Sequence, residues 1–109
     1  MQASNPTVTE PVLLILLSLA EQPRHGYSIL KDVEEISDGR VRLSTGTLYG
    51  ALRRLLEDEW IQRAADENTS RGRQSYRLTA QGRRTLRQEV ARMEELTRLA
   101  AQRCAAKEA

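Results

Sequence analysis

Hydroxyl groups, glycines and arginines lie close together near the middle of this sequence. The stretch STGTLYGALRRL, Ser44 to Leu55, places hydroxyl groups and two glycines ahead of the arginine pair Arg53-Arg54. A second cationic group, Arg71-Gly72-Arg73, follows further along the chain. Guanidinium groups match phosphate oxygens and base edges with paired hydrogen bonds. The chemistry that these residues indicate first is contact with nucleic acid.

Catalysis finds little support in the composition. The chain has a single histidine, His25, and a single cysteine, Cys104, so neither a nucleophile–histidine–acid set nor a Cys/His metal site is plausible. The glycine-containing stretch lacks the lysine of a phosphate-binding P-loop. We therefore expect no catalytic site, no metal and no cofactor. For His25 we expect a polar surface or capping role.

Positive charge is concentrated in the centre of the chain, although the net charge is only +2 over 109 residues. Residues 40–54 hold four arginines and no acid, and residues 63–87 hold seven arginines against two acids. Residues 1–39 are acidic on balance. A solvated surface, or a genome whose composition favours arginine codons, is the alternative explanation for this pattern.

The cysteine count and hydropathy bear on the compartment. One cysteine excludes an internal disulfide, which is typical of the cytoplasm. The apolar run from Val12 to Ala20 is far shorter than the roughly 20 residues that cross a bilayer, and no basic segment precedes it. We expect a cytoplasmic protein with no membrane segment.

The elements that must position the central arginines are helices and one hairpin. Apolar residues recur with helical spacing in four segments, and two short segments between them have the composition of strands around a polar turn. The predicted elements are helices from about Thr9 to Glu21, Gly26 to Ser37, from Ser44 onward and from Ala80 to about Ala105, with strands within 60–65 and 74–79. The long helix follows Thr79, a favourable N-cap residue.

This order predicts a fold that is mainly α with a small β-hairpin. Three helices followed by a hairpin are the plan of a winged helix-turn-helix, in which the third helix reads DNA and the hairpin is the wing. We accordingly expect a flexible N-terminal arm at 1–8, a winged helix-turn-helix DNA-binding domain at 9–79 and a C-terminal dimerisation helix at 80–109.

The third helix has two unlike sides. Its leucines share one side, and its glycines and arginines lie on the other, where small residues let the backbone approach base edges. An arginine at a wing tip is attracted by the negative potential of a minor groove. The candidate DNA-binding residues are Tyr27, Ser44, Thr45, Gly46, Thr47, Tyr49, Arg53, Arg54, Arg71 and Arg73. The alternatives are that the glycines pack against a neighbouring element, that Tyr27 is half-buried, and that the wing arginines belong to a charged loop.

The long helix carries a heptad-like apolar seam, which is typical of helices that pair. Apolar and small residues recur along it with alternating spacings of four and three. The candidate dimerisation residues are Leu86, Val90, Met93, Leu96, Thr97, Ala100 and Cys104. A homodimer would present two third helices to the two half-sites of a palindrome. The alternative is that this helix folds back on its own domain.

These motifs together resemble the PadR family of bacterial transcriptional regulators. The resemblance lies in HGYSI (25–29), STGTLYGALRRL (44–55), WI (60–61) and RGRQSYRLTAQGRRTL (71–86), in the same order and spacing. It implies a winged-helix domain with a single dimerisation helix, and a dimer, usually a repressor, that binds palindromic operator DNA. In some members a hydrophobic or aromatic small molecule binds near the dimer interface and releases the DNA.

The sequence departs from that family at three places. Gly50 stands where the family usually has proline, Glu59 stands where it usually has glycine, and Ser75-Tyr76 stands where many members have two aromatic residues. A residue other than glycine at position 59 must adopt a left-handed turn or lengthen the helix. The alternative function is a winged-helix module that binds a protein partner and no DNA.

Overall fold

The structure of the protein, a computed structural model, describes residues 8–64 and 74–108, and it has the predicted mainly helical architecture with a small sheet. The elements in chain order are α1 Glu10–Glu21, β1 Arg24–His25, α2 Gly26–Ile36, α3 Thr45–Glu57, β2 Ile61–Ala64, β3 Ser75–Leu78 and α4 Ala80–Glu108. Within those ranges no helix is both long and apolar enough to cross a lipid bilayer.

The core forms around α1, whose apolar residues face several neighbours. Leu14, Ile15, Leu16 and Leu19 are buried, and α1 contacts α2, β3 and α4. A helix that is apolar on most sides must be covered on most sides, which is why α1 lies at the centre. The other buried apolar residues of this cluster are Ile29, Val33, Leu48, Leu52, Leu55, Trp60, Ile61, Tyr76, Leu78 and Leu86.

The sheet has three strands in the order β1-β3-β2, whereas the sequence predicted only the two strands of a hairpin. The additional strand β1 pairs antiparallel with β3, with Arg24 opposite Tyr76 and His25 opposite Ser75. Two residues are too few to show the alternation by which a strand is detected in a sequence. His25 therefore lies in a strand, and it precedes α2 without a side-chain capping hydrogen bond.

Arg24 ties β1 to the two helices that flank it. Its Nε donates to the Ser18 carbonyl oxygen at 3.0 Å, and its guanidinium donates to the Glu21 carboxylate at 2.6 Å. The Asp32 carboxylate lies 3.6 Å away on α2. Because the Arg24 side chain is largely buried, this group is held in one geometry and fixes α2 against the end of α1.

The end of α3 is a left-handed turn built on Glu59. The Glu59 N–H donates to the Leu56 carbonyl at 3.1 Å and the Trp60 N–H to the Leu55 carbonyl at 3.0 Å, which is the pattern of a Schellman motif. Glu59 has a φ of 63°, a region that normally favours glycine. Of the two outcomes expected at this position, the structure adopts the left-handed turn.

Gly82 sits where α4 passes closest to the turn after α3. A Cβ at Gly82 would collide with the Trp60 carbonyl group, whose carbon would be only 2.8 Å away. Thr79 caps α4 at the same place, because its hydroxyl accepts the Gly82 N–H at 3.0 Å and donates to the Glu59 carbonyl at 2.6 Å. Gly82 is therefore required for α4 to approach the backbone of Trp60.

Only the first part of α4 packs on the domain. Leu86 is 6% exposed and belongs to the core of its own chain, and Val90 is half-buried against that core. The prediction that Leu86 is a dimerisation residue is therefore wrong, because α1 and its neighbours already cover it. Further along α4, Met93 and Leu96 are exposed.

The substitution Gly82→Ala should lower the free energy of unfolding by about 3 kcal/mol, because rigid backbone blocks the added methyl group. Chemical denaturation monitored by circular dichroism measures this change. Gly50→Ala is the matched control, since a Cβ there meets no described atom within 4 Å and alanine favours the helix by about 1 kcal/mol. Equal stabilities of the two variants would contradict the contact described.

The substitution Glu59→Gly should raise the free energy of unfolding by about 1 kcal/mol, because glycine adopts positive φ without a steric penalty. The control Arg53→Gly lies inside α3 at an exposed position, where glycine should instead destabilise by about 1 kcal/mol. Denaturation midpoints of the two variants should therefore move in opposite directions. A destabilised Glu59→Gly variant would show that the Glu59 side chain supports the fold.

Candidate nucleic-acid interface

The exposed side of α3 is the feature around which the candidate interface is built. Leu48, Leu52 and Leu55 are buried in the core, which turns the opposite side of the helix to the solvent. On that side, Cβ atoms added to Gly46 or Gly50 would have no described atom within 4 Å. The alternative that these glycines pack against a neighbour is therefore not supported in the described part of the chain.

The start of α3 is capped by Ser44. The Ser44 Oγ accepts the Thr47 backbone N–H at 3.1 Å and donates to the Thr47 Oγ1 at 2.9 Å. The N–H groups of the first helical residues, Thr45 and Gly46, have no carbonyl partner within the helix and point along its axis. All four residues are exposed, so this end of α3 can accept an anion such as a phosphate.

Arg53 and Arg54 stand near the other end of the exposed side. Both are exposed, and neither forms an ion pair with a carboxylate in residues 8–64 or 74–106. By contrast, Arg40 in the preceding loop is paired with Glu10 at 3.0 Å. The α3 arginines are thus not neutralised by the part of the chain that is described, and their donors are available to phosphates.

Tyr49 lies at the edge of this side and packs against the beginning of α2. A Cβ on Gly26 would lie 2.8 Å from the Tyr49 Cζ, so the tyrosine ring covers the backbone of Gly26. Burial is the main cause that raises the pKa of the Tyr76 hydroxyl, and the nearby Tyr49 hydroxyl raises it further. Arg63 acts in the opposite direction and lowers this pKa. Tyr49 therefore stands where α3, the start of α2 and the sheet meet, and its ring helps to position α3.

Tyr27 and the wing are the remaining parts of the predicted interface. Tyr27 is 70% exposed near the start of α2, with the Lys31 Nζ 5.8 Å from its ring centre, so the half-buried alternative is wrong. Arg71 and Arg73 lie outside the described residues.

Arg63 on β2 is an exposed cation that the sequence analysis did not single out. Arg63 lies opposite Tyr76 of β3, a register that the sequence does not display.

A second surface lies between α1 and α4. Leu13 and Leu17 of α1 and Val90 and Met93 of α4 line an apolar groove of about 300 Å³. Met93 is 40% exposed and Leu96 is 50% exposed, and Ala100 and Cys104 are also exposed. Thr97 lies at the groove and donates its hydroxyl to the Met93 carbonyl at 2.8 Å. Apart from Leu86, the predicted dimerisation residues thus lie on the surface or at the groove.

In the ranges that the structure describes, no group of three or more His, Cys, Asp or Glu side chains is arranged to hold a metal ion. Cys104 is a free, exposed cysteine on α4.

Solved structures with similar folds include several regulators. A PadR family transcription regulator from hypervirulent Clostridium difficile is 26% identical, with a TM-score of 0.71, over 86% of this chain and 97% of that chain. A transcriptional regulator from Clostridium thermocellum is 27% identical, with a TM-score of 0.67, over 83% of this chain and 85% of that chain. These likenesses confirm the predicted winged-helix fold class.

One of the similar structures contains DNA. Bacillus subtilis PadR, solved in complex with operator DNA, has a TM-score of 0.62 and is 22% identical, over 72% of this chain and 45% of that chain. At this identity the likeness establishes a shared fold.

Sequence comparison gives the family. An uncharacterized 37.1 kDa protein in transposon TN4556 of Streptomyces fradiae is 41% identical over 86 residues, and this chain spans 23% of its length. The sequence model of the transcriptional regulator PadR-like family matches residues 15–88, which is more than half of the chain. The resemblance inferred from the motifs is thus confirmed, and the chain belongs to the PadR-like family of transcriptional regulators.

Proposed function

We propose that this protein is a homodimeric DNA-binding repressor of a palindromic operator, and that it acts in the cytoplasm. The observation that carries this proposal is the exposed side of α3, where a Cβ on either glycine would meet no described atom within 4 Å. Ahead of the glycines, Arg53 and Arg54 form no ion pair with a carboxylate of residues 8–64 or 74–106. We assign no catalytic role to any residue.

The geometry of α3 supports docking in a major groove. Base edges can approach the bare backbone at Gly46 and Gly50, and Thr47 is the polar side chain between them. Arg53 and Arg54 would bind flanking phosphates, and the N–H groups at the start of the helix would bind another. Tyr27 would offer its hydroxyl to a phosphate, and Arg71 and Arg73 of the wing would contact a minor groove. The fold itself accommodates a duplex, because Bacillus subtilis PadR was solved with operator DNA.

The surface between α1 and α4 supports a dimer. The groove lined by Leu13, Leu17 and Met93 and the exposed Leu96 form apolar area at one side of the domain. A second copy of the chain would cover this area through α4, with Val90, Thr97, Ala100 and Cys104 along the contact. The same groove has the apolar lining and volume that suit a hydrophobic or aromatic effector, whose binding would change the spacing of the two α3 helices.

Loss of a phosphate contact should change the salt dependence of binding. Arg53→Ala should weaken binding to all duplexes and reduce the slope of log affinity against log salt by about one for each docked α3. Fluorescence anisotropy with duplex DNA from upstream of its own gene, titrated with salt, measures both quantities.

Arg98→Ala is the matched control, because Arg98 is paired with Glu95 on α4 and its loss should leave the slope unchanged. If Arg53→Ala and Arg98→Ala give the same slope as the unaltered protein, Arg53 does not bind a phosphate. If the unaltered protein binds no duplex, the alternative of a protein-interaction module is favoured.

Leu96→Glu should disrupt the dimer, because a carboxylate would be buried in the apolar contact. We expect the dimer dissociation constant to rise about a hundredfold, equivalent to roughly 3 kcal/mol. Sedimentation velocity over a concentration series measures this change. Gln102→Glu adds the same charge on the opposite side of α4 and should leave the association intact. A dimer that tolerates Leu96→Glu would place the contact elsewhere.

A further inference from the structure

A second cavity, of about 660 Å³, lies between the beginning of α1 and α3. Its apolar wall includes Pro11 and Val12 of α1, Leu55 of α3 and Trp60, which follows α3. This cavity shares no described lining residue with the groove between α1 and α4. Small-molecule sites have volumes in this range and combine an apolar lining with a few polar groups that orient the ligand. The cavity is therefore a ligand site to consider separately from that groove.

Two opposite charges lie in the wall of this cavity. Arg54 and Asp58, the C-cap residue of α3, both line it, and a spacing of four residues places them one turn apart on the same side. In residues 8–64 and 74–106 neither side chain forms an ion pair. Within these ranges the cavity thus offers a ligand one guanidinium donor and one carboxylate acceptor.

The apolar wall and the two charges together define a ligand chemistry. Aromatic rings bury a large apolar area and gain further attraction from a second ring, which Trp60 supplies. A carboxylate is the group that pairs with Arg54, and an ammonium is the group that pairs with Asp58. A compound that carries a ring, a carboxylate and an ammonium within a few bonds of one another is an aromatic α-amino acid.

We infer that this cavity binds an aromatic α-amino acid as its zwitterion, with the carboxylate on Arg54, the ammonium on Asp58 and the ring against the apolar wall. The bound amino acid excludes DNA, because Thr47, Gly50 and Arg54 line the cavity and also belong to the side of α3 proposed to contact the duplex. Only the exclusion of DNA rests on the proposed function.

Titration of the full chain with L-phenylalanine, followed by tryptophan fluorescence, tests the site. Trp60 is the single tryptophan of the sequence and lines the cavity, so its emission reports on the bound ligand. Phenylpropionate lacks only the ammonium of phenylalanine, and phenylethylamine lacks only the carboxylate. We expect L-phenylalanine to bind about tenfold more tightly than either analogue, because each analogue leaves one charged side chain without its partner.

Two variants assign the charges to their residues. Asp58→Asn should bind phenylpropionate at least as tightly as L-phenylalanine, and Arg54→Gln should bind phenylethylamine at least as tightly, because the charge that favoured the zwitterion is gone. Arg98→Ala removes a charge on α4 outside the cavity and should keep the preference of the unaltered protein. Variants at 54 and 58 that are folded by circular dichroism but weaken all three compounds alike would overturn the assignment.

The outcomes separate the ligand site from the proposed function. If L-phenylalanine does not change the Trp60 emission, or binds no more tightly than its analogues, the site is overturned whether or not the protein binds DNA. At ten times its dissociation constant, L-phenylalanine should weaken duplex binding at least tenfold in fluorescence anisotropy. An unchanged duplex affinity overturns the exclusion of DNA. If the protein binds L-phenylalanine as expected but no duplex, the proposed function fails while the ligand site stands.

Discussion

The carbonyl group of Trp60 is the point on which the relative placement of α3, the sheet and α4 depends. Its oxygen accepts the Thr79 N–H at 3.0 Å, and Gly82 approaches it closely because it has no side chain. The Thr79 hydroxyl joins the Glu59 carbonyl to the Gly82 N–H. The end of α3, the base of the wing and the start of α4 are therefore held in one hydrogen-bonded junction.

This junction matters because the proposed function requires two surfaces with a fixed relation. The exposed side of α3 must face the DNA while the apolar side of α4 faces a second copy of the chain. Tyr49, whose ring covers Gly26, fixes α3 against α2 at the other side of the helix. With both sides held, the spacing of two α3 helices in a dimer follows from how the α4 helices pair. A small molecule bound near that pairing would act on the same spacing.

Much of this arrangement could be predicted from the sequence because it rests on periodic patterns. The leucine spacing placed the α3 glycines and arginines on one exposed side, and Ser44 caps that helix as expected. The strand β1 could not be predicted, since its two residues form a strand only by pairing with β3. The importance of Gly82 was equally hidden, because its reason is a contact with the distant Trp60 backbone.

The apolar seam of α4 illustrates a different limit. A heptad spacing indicates which residues are covered but not whether the same chain or another covers them. Leu86 is covered by its own domain, whereas Met93 and Leu96 are exposed. The heptad spacing continues unchanged across these positions. Whether a position is buried or exposed depends on where α1 ends its contact with α4.

If the glycine-bearing side of α3 contacts DNA, the backbone amide resonances of its glycines should respond to binding. In a ¹H–¹⁵N correlation spectrum recorded while duplex from upstream of its own gene is added, Gly46 and Gly50 should shift or broaden. Gly82, buried at the junction with Trp60, should change much less. Saturating binding that leaves the Gly46 and Gly50 resonances unmoved would show that this side of α3 does not contact the DNA.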